Sequence, residues 1–317
     1  MHHFDAQAVA AALPYPDLVA ALAQGLQEPI EMPARSVLAP NHDASCVLLM
    51  PAWKSHQRMG VKLVSVWPGN NALGLPAVSG VYVLISCETG QPLAVMDGTE
   101  LTLRRTAAAA ALAARTLARR NSKTLAVLGT GALSAPLALA HASVMPFESI
   151  LIWGRNLARA QATADGLRRQ GLPAVVSADL AQTLAQADVV AVATTASVPF
   201  IAADAVRPGT HLGLVGAFTP QMAEAEPALM ARAQLFADHT AAVIEKGGEV
   251  WMALQQGLIA PSAIEAELGA LAAQPQRAWR QSEQSITVFK SVGFASLDLI
   301  AAERVYQSLQ GGGAGVE

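Results

Sequence analysis

The chain has 317 residues, of which 52% are hydrophobic and 14% charged, with a formal net charge of −3. That length sets two domains as the prior, and the slight acidity excludes an electrostatic case for nucleic-acid binding. No apolar run reaches the roughly 18 residues of a membrane span, and the N-terminus lacks a basic-then-apolar leader pattern, so a cytoplasmic protein with no membrane contact is expected.

Residues 5–26 carry helical apolar spacing at Val9, Leu13, Leu18, Leu22 and Leu26, and Pro14 and Pro16 divide them into two short helices. Residues 30–40, which include Pro33 and Arg35, read as extended. Short strands are expected at 46–51, 61–67, 81–87 and 93–96, with a turn at Thr89-Gly90 before the last. The region before residue 100 is therefore mostly β. Cys46 and Cys87 are far apart and follow no metal or redox spacing, and the histidines show no HxH or HExxH pattern, so no metal site is expected.

In the second of these strands Lys62 shares a face with Val64 and Val66. On pattern alone, a lysine there more often sits at a strand end and reaches to water than lines a pocket. The same holds for Arg35, and for Arg105 just before a run of alanines. Residues 99–120 read as one long helix, with Ala107 to Ala114 supplying strong helix formers and Arg115, Arg119 and Arg120 near its C-terminal end.

Residues 124–155 organise the rest of the chain. An apolar run at 125–128 leads into Gly129-Thr130-Gly131-Ala132-Leu133-Ser134, an alanine- and leucine-rich segment follows, and a second apolar run arrives at 150–153. Strand, glycine turn, helix and strand in this order open a dinucleotide-binding sheet. Gly129 makes the tight turn, Gly131 admits a pyrophosphate, and Ser134 is small enough to stand for the third glycine. The helix start offers free N–H groups to the phosphates. A further helix is expected at 158–170, a strand at 174–177, a helix at 180–186, and strands at 188–195, 211–216 and 234–237. Near-continuous apolar strands alternating with helices imply a parallel sheet covered on both faces. Thr194, Thr195, Val215 and Gly216 fall at strand C-terminal ends, where such sheets bind ligands. Residues 241–258 and 262–272 read as helices, 286–310 as apolar and helix-like with a break at Gly293, and 311–317 as a disordered tail.

The second strand ends Trp153-Gly154-Arg155-Asn156, without the acidic residue that takes the ribose 2′-hydroxyl of NAD. Arg155 can instead pair a 2′-phosphate, so NADPH is the expected cofactor, with NADH as the alternative.

Several motifs together resemble the ornithine cyclodeaminase/μ-crystallin family across almost the whole length. They are Pro33-Ala-Arg35, Gly60-Val-Lys62, Leu103-Arg-Arg105-Thr106-Ala-Ala, Gly129-Thr-Gly131, Trp153-Gly-Arg155-Asn156, Val215-Gly216, and Phe289-Lys-Ser291-Val-Gly293-Phe-Ala-Ser-Leu-Asp298. The resemblance implies an α/β fold. A Rossmann-type parallel-sheet domain at 121–286 would be joined to an N-terminal α+β substrate and dimerisation domain at 1–120, completed by 287–317. It implies that Arg35, Lys62 and Arg105 hold the substrate carboxylate and the reacting carbon, which reverses the plainer reading of those three cations. Cofactor contacts are expected at Gly129, Thr130, Gly131, Ala132 and Leu133, at Gly154, Arg155 and Asn156, at Thr194, Thr195 and Val215, and, through the same motifs, at Thr106 and Ser291.

One departure bears on the reaction. Cyclodeaminases of the family carry Gly-Gly-Asp after the fifth strand; here the stretch is Gly216-Ala217-Phe218, so Phe218 stands at the aspartate position and would form an apolar wall of the substrate pocket. The expectation is an NAD(P)H-dependent reductase of a small cyclic imine carboxylate, of the pyrroline-2-carboxylate or piperideine-2-carboxylate type, giving a cyclic amino acid such as proline. The alternatives are ornithine cyclodeaminase itself, with Glu224 or Asp97 substituting for the missing acid, and a μ-crystallin-like NADPH-dependent binding protein. A homodimer is the expected assembly.

Overall fold

The computed structural model describes residues 1–41 and 45–311. It divides into two compact units, one formed by Met1–Arg105 with the chain from Phe294 onward, the other by Thr106–Gly293.

The first unit is built on a six-stranded sheet. Its strands are β1 (His2–Phe4), β2 (Ser36–Leu38), β3 (Cys46–Lys54), β4 (Arg58–Val66), β5 (Val78–Ser86) and β6 (Pro92–Asp97), in the spatial order β1-β6-β5-β4-β3-β2. All neighbours run antiparallel except β1, which pairs with β6 in parallel. Helices α1 (Ala6–Ala12) and α2 (Tyr15–Gly25) follow β1; Asp5 caps the first by accepting from the Ala8 N–H at 2.8 Å, and Pro14 and Pro16 place the start of the second. Alternation along the strands sorts the two faces. Gly60 and Lys62 of β4 and Tyr82 and Leu84 of β5 are buried, whereas Leu63 and Val81, paired across the two strands, are exposed.

Helix α3 (Gly98–Leu117) passes from the first unit into the second. Its residues Ala107 to Ala114 are all fully buried, and side chains this small allow close backbone approach. The second unit then lays down β7 (Thr124–Leu128), α4 (Ser134–Ala142), β8 (Ser149–Trp153), α5 (Leu157–Arg169), β9 (Ala174–Ser177), α6 (Leu180–Gln186), β10 (Val189–Val192) and β11 (His211–Leu214). It continues with α7 (Pro227–Arg232), β12 (Ala233–Ala237), α8 (Thr240–Lys246), α9 (Glu249–Gln255), β13 (Ile264–Glu267), α10 (Leu268–Ala273) and β14 (Ile286–Lys290). The eight strands form one wholly parallel sheet in the order β13-β12-β14-β11-β10-β7-β8-β9. Every residue of β10, β11 and β14 is buried, which explains their mostly apolar character, with His211, Thr287 and Lys290 as the buried exceptions. The chain ends its described course in α11 (Ala295–Gly311), which lies against β3, β4, β5, α1 and α2 of the first unit.

Four expectations are corrected. Residues 241–258 are two helices, because Gly248 takes a positive φ of 50° and a Cβ there would meet the Met222 carbonyl oxygen at 2.5 Å. Residues 262–272 contain the edge strand β13, whose Ile-Glu-Ala-Glu alternation is a half-buried strand pattern hidden beside alanine-rich helix. Residues 286–310 are a strand and a helix parted by Gly293. Periodicity cannot separate a short buried strand from a helix segment, and the slot between β11 and β12 decides it. The division between units also falls elsewhere than at 121–286: β14 belongs to the parallel sheet, so the return to the first unit comes at Phe294, and the outward crossing lies inside α3 after Arg105. The short strand β1 carries no signal that set it apart. Residues 312–317 of the expected tail lie outside the described residues.

Candidate active site

Lys62, on the buried face of β4, points at a carboxylate supplied by α11. Its ammonium lies 2.8 and 2.9 Å from the two oxygens of Asp298 and 3.4 Å from the Thr102 hydroxyl oxygen on α3. One turn further along α3, Arg105 Nε donates to Asp298 Oδ1 at 2.8 Å. Lys62 is 2% exposed, Arg105 5% and Asp298 0%. The lysine is therefore no strand end reaching to water. Burial pushes its ammonium down to about 8; the Asp298 carboxylate opposes that shift, while Arg105 and Arg35 add to it. Arg35, half-buried just before β2, is close enough to act on Lys62 electrostatically and forms no ion pair among the described residues. The geometry thus brings together the three expected cations. It adds Asp298, which in the sequence is only the last residue of a motif. The available signal was a carboxylate flanked by Leu297 and Leu299 in an otherwise apolar helix face.

Arg105 spends only Nε on Asp298, and its terminal nitrogens bond no described residue. A guanidinium so held presents its two-pronged edge to an anion, and a carboxylate matches it bidentately.

In the second unit the glycine turn leaves β7 at the carboxyl ends of the sheet. Gly129 takes φ 119°, and a Cβ there would collide with the carbonyl of Ala193 after β10. A Cβ on Gly131 would meet no atom within 4 Å, so the turn is open where Gly131 stands. Leu133 occupies the N-cap of α4 without a side-chain cap, and the first turn of that helix holds no acidic residue, which leaves its N–H groups available to phosphates. Thr130 packs against Gly154, where a Cβ would come within 2.6 Å of the threonine methyl. Ala132 and Leu133 complete the turn. Ser134 is buried, as its role in close helix packing requires. Arg155 is exposed after β8, and Asn156 caps α5 by accepting from the Arg159 N–H at 3.0 Å. These features fit a dinucleotide.

The remaining expected positions show a division of labour. Thr106 is buried in α3, Val215 is buried after β11, and Thr195 is exposed. Thr194 gives its N–H (2.6 Å) and hydroxyl (3.0 Å) to Glu224, and the same carboxylate accepts from the N–H groups of Gly216 (2.9 Å) and Ala217 (3.3 Å). Glu224 therefore staples the loop after β10 to the loop after β11 and is not a free base. Asp97 accepts from the Glu100 N–H at 2.7 Å at the start of α3. The Ser291 hydroxyl donates to Asp238 Oδ2 at 2.8 Å, an oxygen that also receives the N–H groups of Val292 and Gly293. Phe218, in the loop beyond Gly216, is 45% exposed.

A family model described as the ornithine cyclodeaminase/mu-crystallin family matches residues 7–313. Among curated proteins, a Delta(1)-pyrroline-2-carboxylate reductase of Paracoccus denitrificans is 36% identical over 302 residues, covering 94% of both chains. Among solved structures, Thermococcus litoralis Delta(1)-pyrroline-2-carboxylate reductase in complex with NADH and L-proline superposes with a TM-score of 0.92 at 27% identity, over all of both chains. An archaeal alanine dehydrogenase dimer with bound NAD gives 0.91 at 27% identity, over 100% of this chain and 98% of that one. The chain belongs to the ornithine cyclodeaminase/mu-crystallin family. No single helix among the described residues is long and apolar enough to cross a membrane.

Proposed function

We propose that this chain is an NAD(P)H-dependent reductase that converts a small cyclic imine carboxylate, of the pyrroline-2-carboxylate or piperideine-2-carboxylate type, into the corresponding cyclic amino acid. Whole-length similarity to a reductase of this kind supports the reaction class. The observation that carries the choice within the family is the state of the candidate acids: Phe218 occupies the position of the cyclodeaminase aspartate, Glu224 has both oxygens engaged by backbone N–H groups, and Asp97 caps the start of α3 through one of its own. Ring closure by a side-chain amine needs a base to take its proton; reduction of a ring already formed does not.

In this reading the bound nicotinamide supplies the hydride, as that cofactor does. Arg105 and Arg35 hold the substrate carboxylate and thereby orient the imine carbon. Lys62, an ammonium through neutral pH, faces the same charge and can give the proton that the imine nitrogen gains as its carbon accepts hydride. Phe218 supplies an apolar wall in place of an acid. Gly129–Leu133 and the start of α4 take the pyrophosphate, and Gly154, Arg155 and Asn156 follow the strand that carries the adenine ribose. We further assign Arg155 to a 2′-phosphate, which makes NADPH the preferred cofactor.

We assign the first unit to substrate binding and dimerisation. On the outer face of its sheet Leu49, Met59, Val61, Leu63, Val81 and Val83 are all apolar and only partly buried or exposed. A continuous apolar sheet face of this kind supports a covering second copy.

The test is a substrate panel with both cofactors: five- and six-membered cyclic imine carboxylates, ornithine, and pyruvate with ammonia. Stoichiometric cofactor oxidation with the cyclic imines and little ammonia from ornithine are expected. Conversion of ornithine to proline without net cofactor consumption, and with no comparable imine reduction, overturns the assignment.

A further inference from the structure

The three cations and Asp298 form an unbalanced group. Lys62, Arg105 and Arg35 bring three positive charges to one region of the first unit, and among the groups that act on Lys62 the only negative charge is that of Asp298. The other ionisable group beside it is Tyr82, paired with Lys62 across β4 and β5; burial, with the nearby Asp298 and Glu303 charges, raises its phenol well above its ordinary value, so it is neutral over the working range. Met50, on the other side of Lys62, carries no charge. Arginine does not surrender its proton in proteins. Any excess of positive charge must therefore be relieved at Lys62.

We infer that Asp298 is a positioning residue of this site: its carboxylate, held between Lys62 Nζ and Arg105 Nε, fixes the spacing of the two cations and keeps Lys62 in its ammonium form. The geometry is specific. Asp298 engages Arg105 through Nε, the one donor whose use leaves the forked edge free, and it takes the lysine from the side of α11, with the Thr102 hydroxyl as the ammonium's longer contact from α3. The inference rests on the reductase reading for its catalytic consequence but not for its effect on Lys62.

Two measurements separate these. The chain has only five lysines, so a carbon-13 lysine spectrum of the whole protein can be followed through a pH titration, with Lys62→Arg assigning the signal. The Lys62 midpoint is expected near 8 in the unmodified protein, and lower by roughly 1–3 pH units in Asp298→Asn, the range for loss of an adjacent opposite charge. Asp298→Glu keeps the charge and should hold the midpoint within about half a unit while changing the spacing. An unchanged midpoint in Asp298→Asn overturns the inference whatever happens to activity. If that variant does not fold, a midpoint in Asp298→Glu displaced downward by about a unit or more overturns it, and one that holds supports it.

The second measurement is the pH profile of imine reduction. Asp298→Asn should lose kcat at pH 7.5 in proportion to the ammonium fraction lost, from about threefold for a one-unit drop of the Lys62 midpoint to more than about a hundredfold for three, and regain most of it about one unit below its own midpoint, with a smaller change in KM because both arginines remain. Loss of kcat that lower pH does not restore indicates a structural role only and overturns the inference. A shifted Lys62 midpoint in a protein that reduces no cyclic imine leaves Asp298 in its role and refutes the reductase reading.

Discussion

Gly60 and Tyr82 are fitted to one another across β4 and β5. A Cβ on Gly60 would come to 2.6 Å of Tyr82 Cε1 and closer still to Cζ and Oη, so the phenol ring occupies the volume that any side chain at position 60 would need. Tyr82 is buried and is itself opposite Lys62. The glycine two residues before the lysine is thus a packing requirement of the strand that presents the lysine. Gly60→Ala is expected to cost about 1–3 kcal/mol by overpacking, read as a lower thermal midpoint, and to reduce turnover more than nucleotide affinity. A variant with unchanged melting and full activity would show that the ring moves aside freely.

Glu224 offers a second test. A Cβ on Gly216 would strike both its Oε1 and the Thr194 backbone, so loop and carboxylate leave no slack. Glu224→Ala strands several buried N–H donors and should destabilise the protein by roughly 2–4 kcal/mol, measured by urea unfolding. NAD(P)H binding followed by fluorescence should weaken as well, because the loops after β10 and β11 lose their common anchor. Wild-type stability in this variant, together with lost imine reduction, would instead make Glu224 a chemical participant.

Arg155 should discriminate between cofactors. Arg155→Ala is expected to weaken NADPH about tenfold through loss of a charge-assisted contact, and to leave NADH nearly unchanged. Comparison of kcat/KM for the two cofactors decides it. Equal or better efficiency with NADH in the unmodified protein contradicts the assignment of a 2′-phosphate to this side chain.

Acid should unfold the second unit partly through His141. Burial lowers this imidazole from 6.5 to about 4, against the pull of its Nδ1–H donated to the Leu137 carbonyl. The unfolded chain then binds the proton more tightly than the folded one. The stabilising contribution is complete above pH 6.5 and is lost as the pH falls toward about 4. His211, also buried and lowered, adds in the same direction. In His141→Leu the slope of unfolding free energy against pH across this window should be shallower by about one bound proton. An identical slope would mean that His141 is already charged in the fold.

The glycine turn was legible because its chemistry is local: Gly129, Gly131 and the flanking apolar runs determine strand, turn and helix within a short segment. The role of Lys62 was not, since a lysine among valines reads the same whether it faces water or a buried carboxylate. That carboxylate lies 236 residues away, beyond the reach of any local pattern. Glu224 was weighed as a base for the same reason: nothing beside it in the chain reveals that its donors come from Thr194, Gly216 and Ala217. The strand at 286–290 reads as helix in the sequence because its identity is set by the gap between β11 and β12, which no neighbouring residue reports.

That strand has a consequence for how the molecule is made. β14 enters between β11 and β12, so until residue 290 has emerged the parallel sheet is two pieces with unpaired facing edges. Helix α11 follows immediately and carries the counter-charge for Lys62 and Arg105. Both units are thus finished late in the chain, the second by β14 and the first by the helix just after it. A chain that stops short of β14 exposes open strand edges, the surfaces on which sheets pair wrongly.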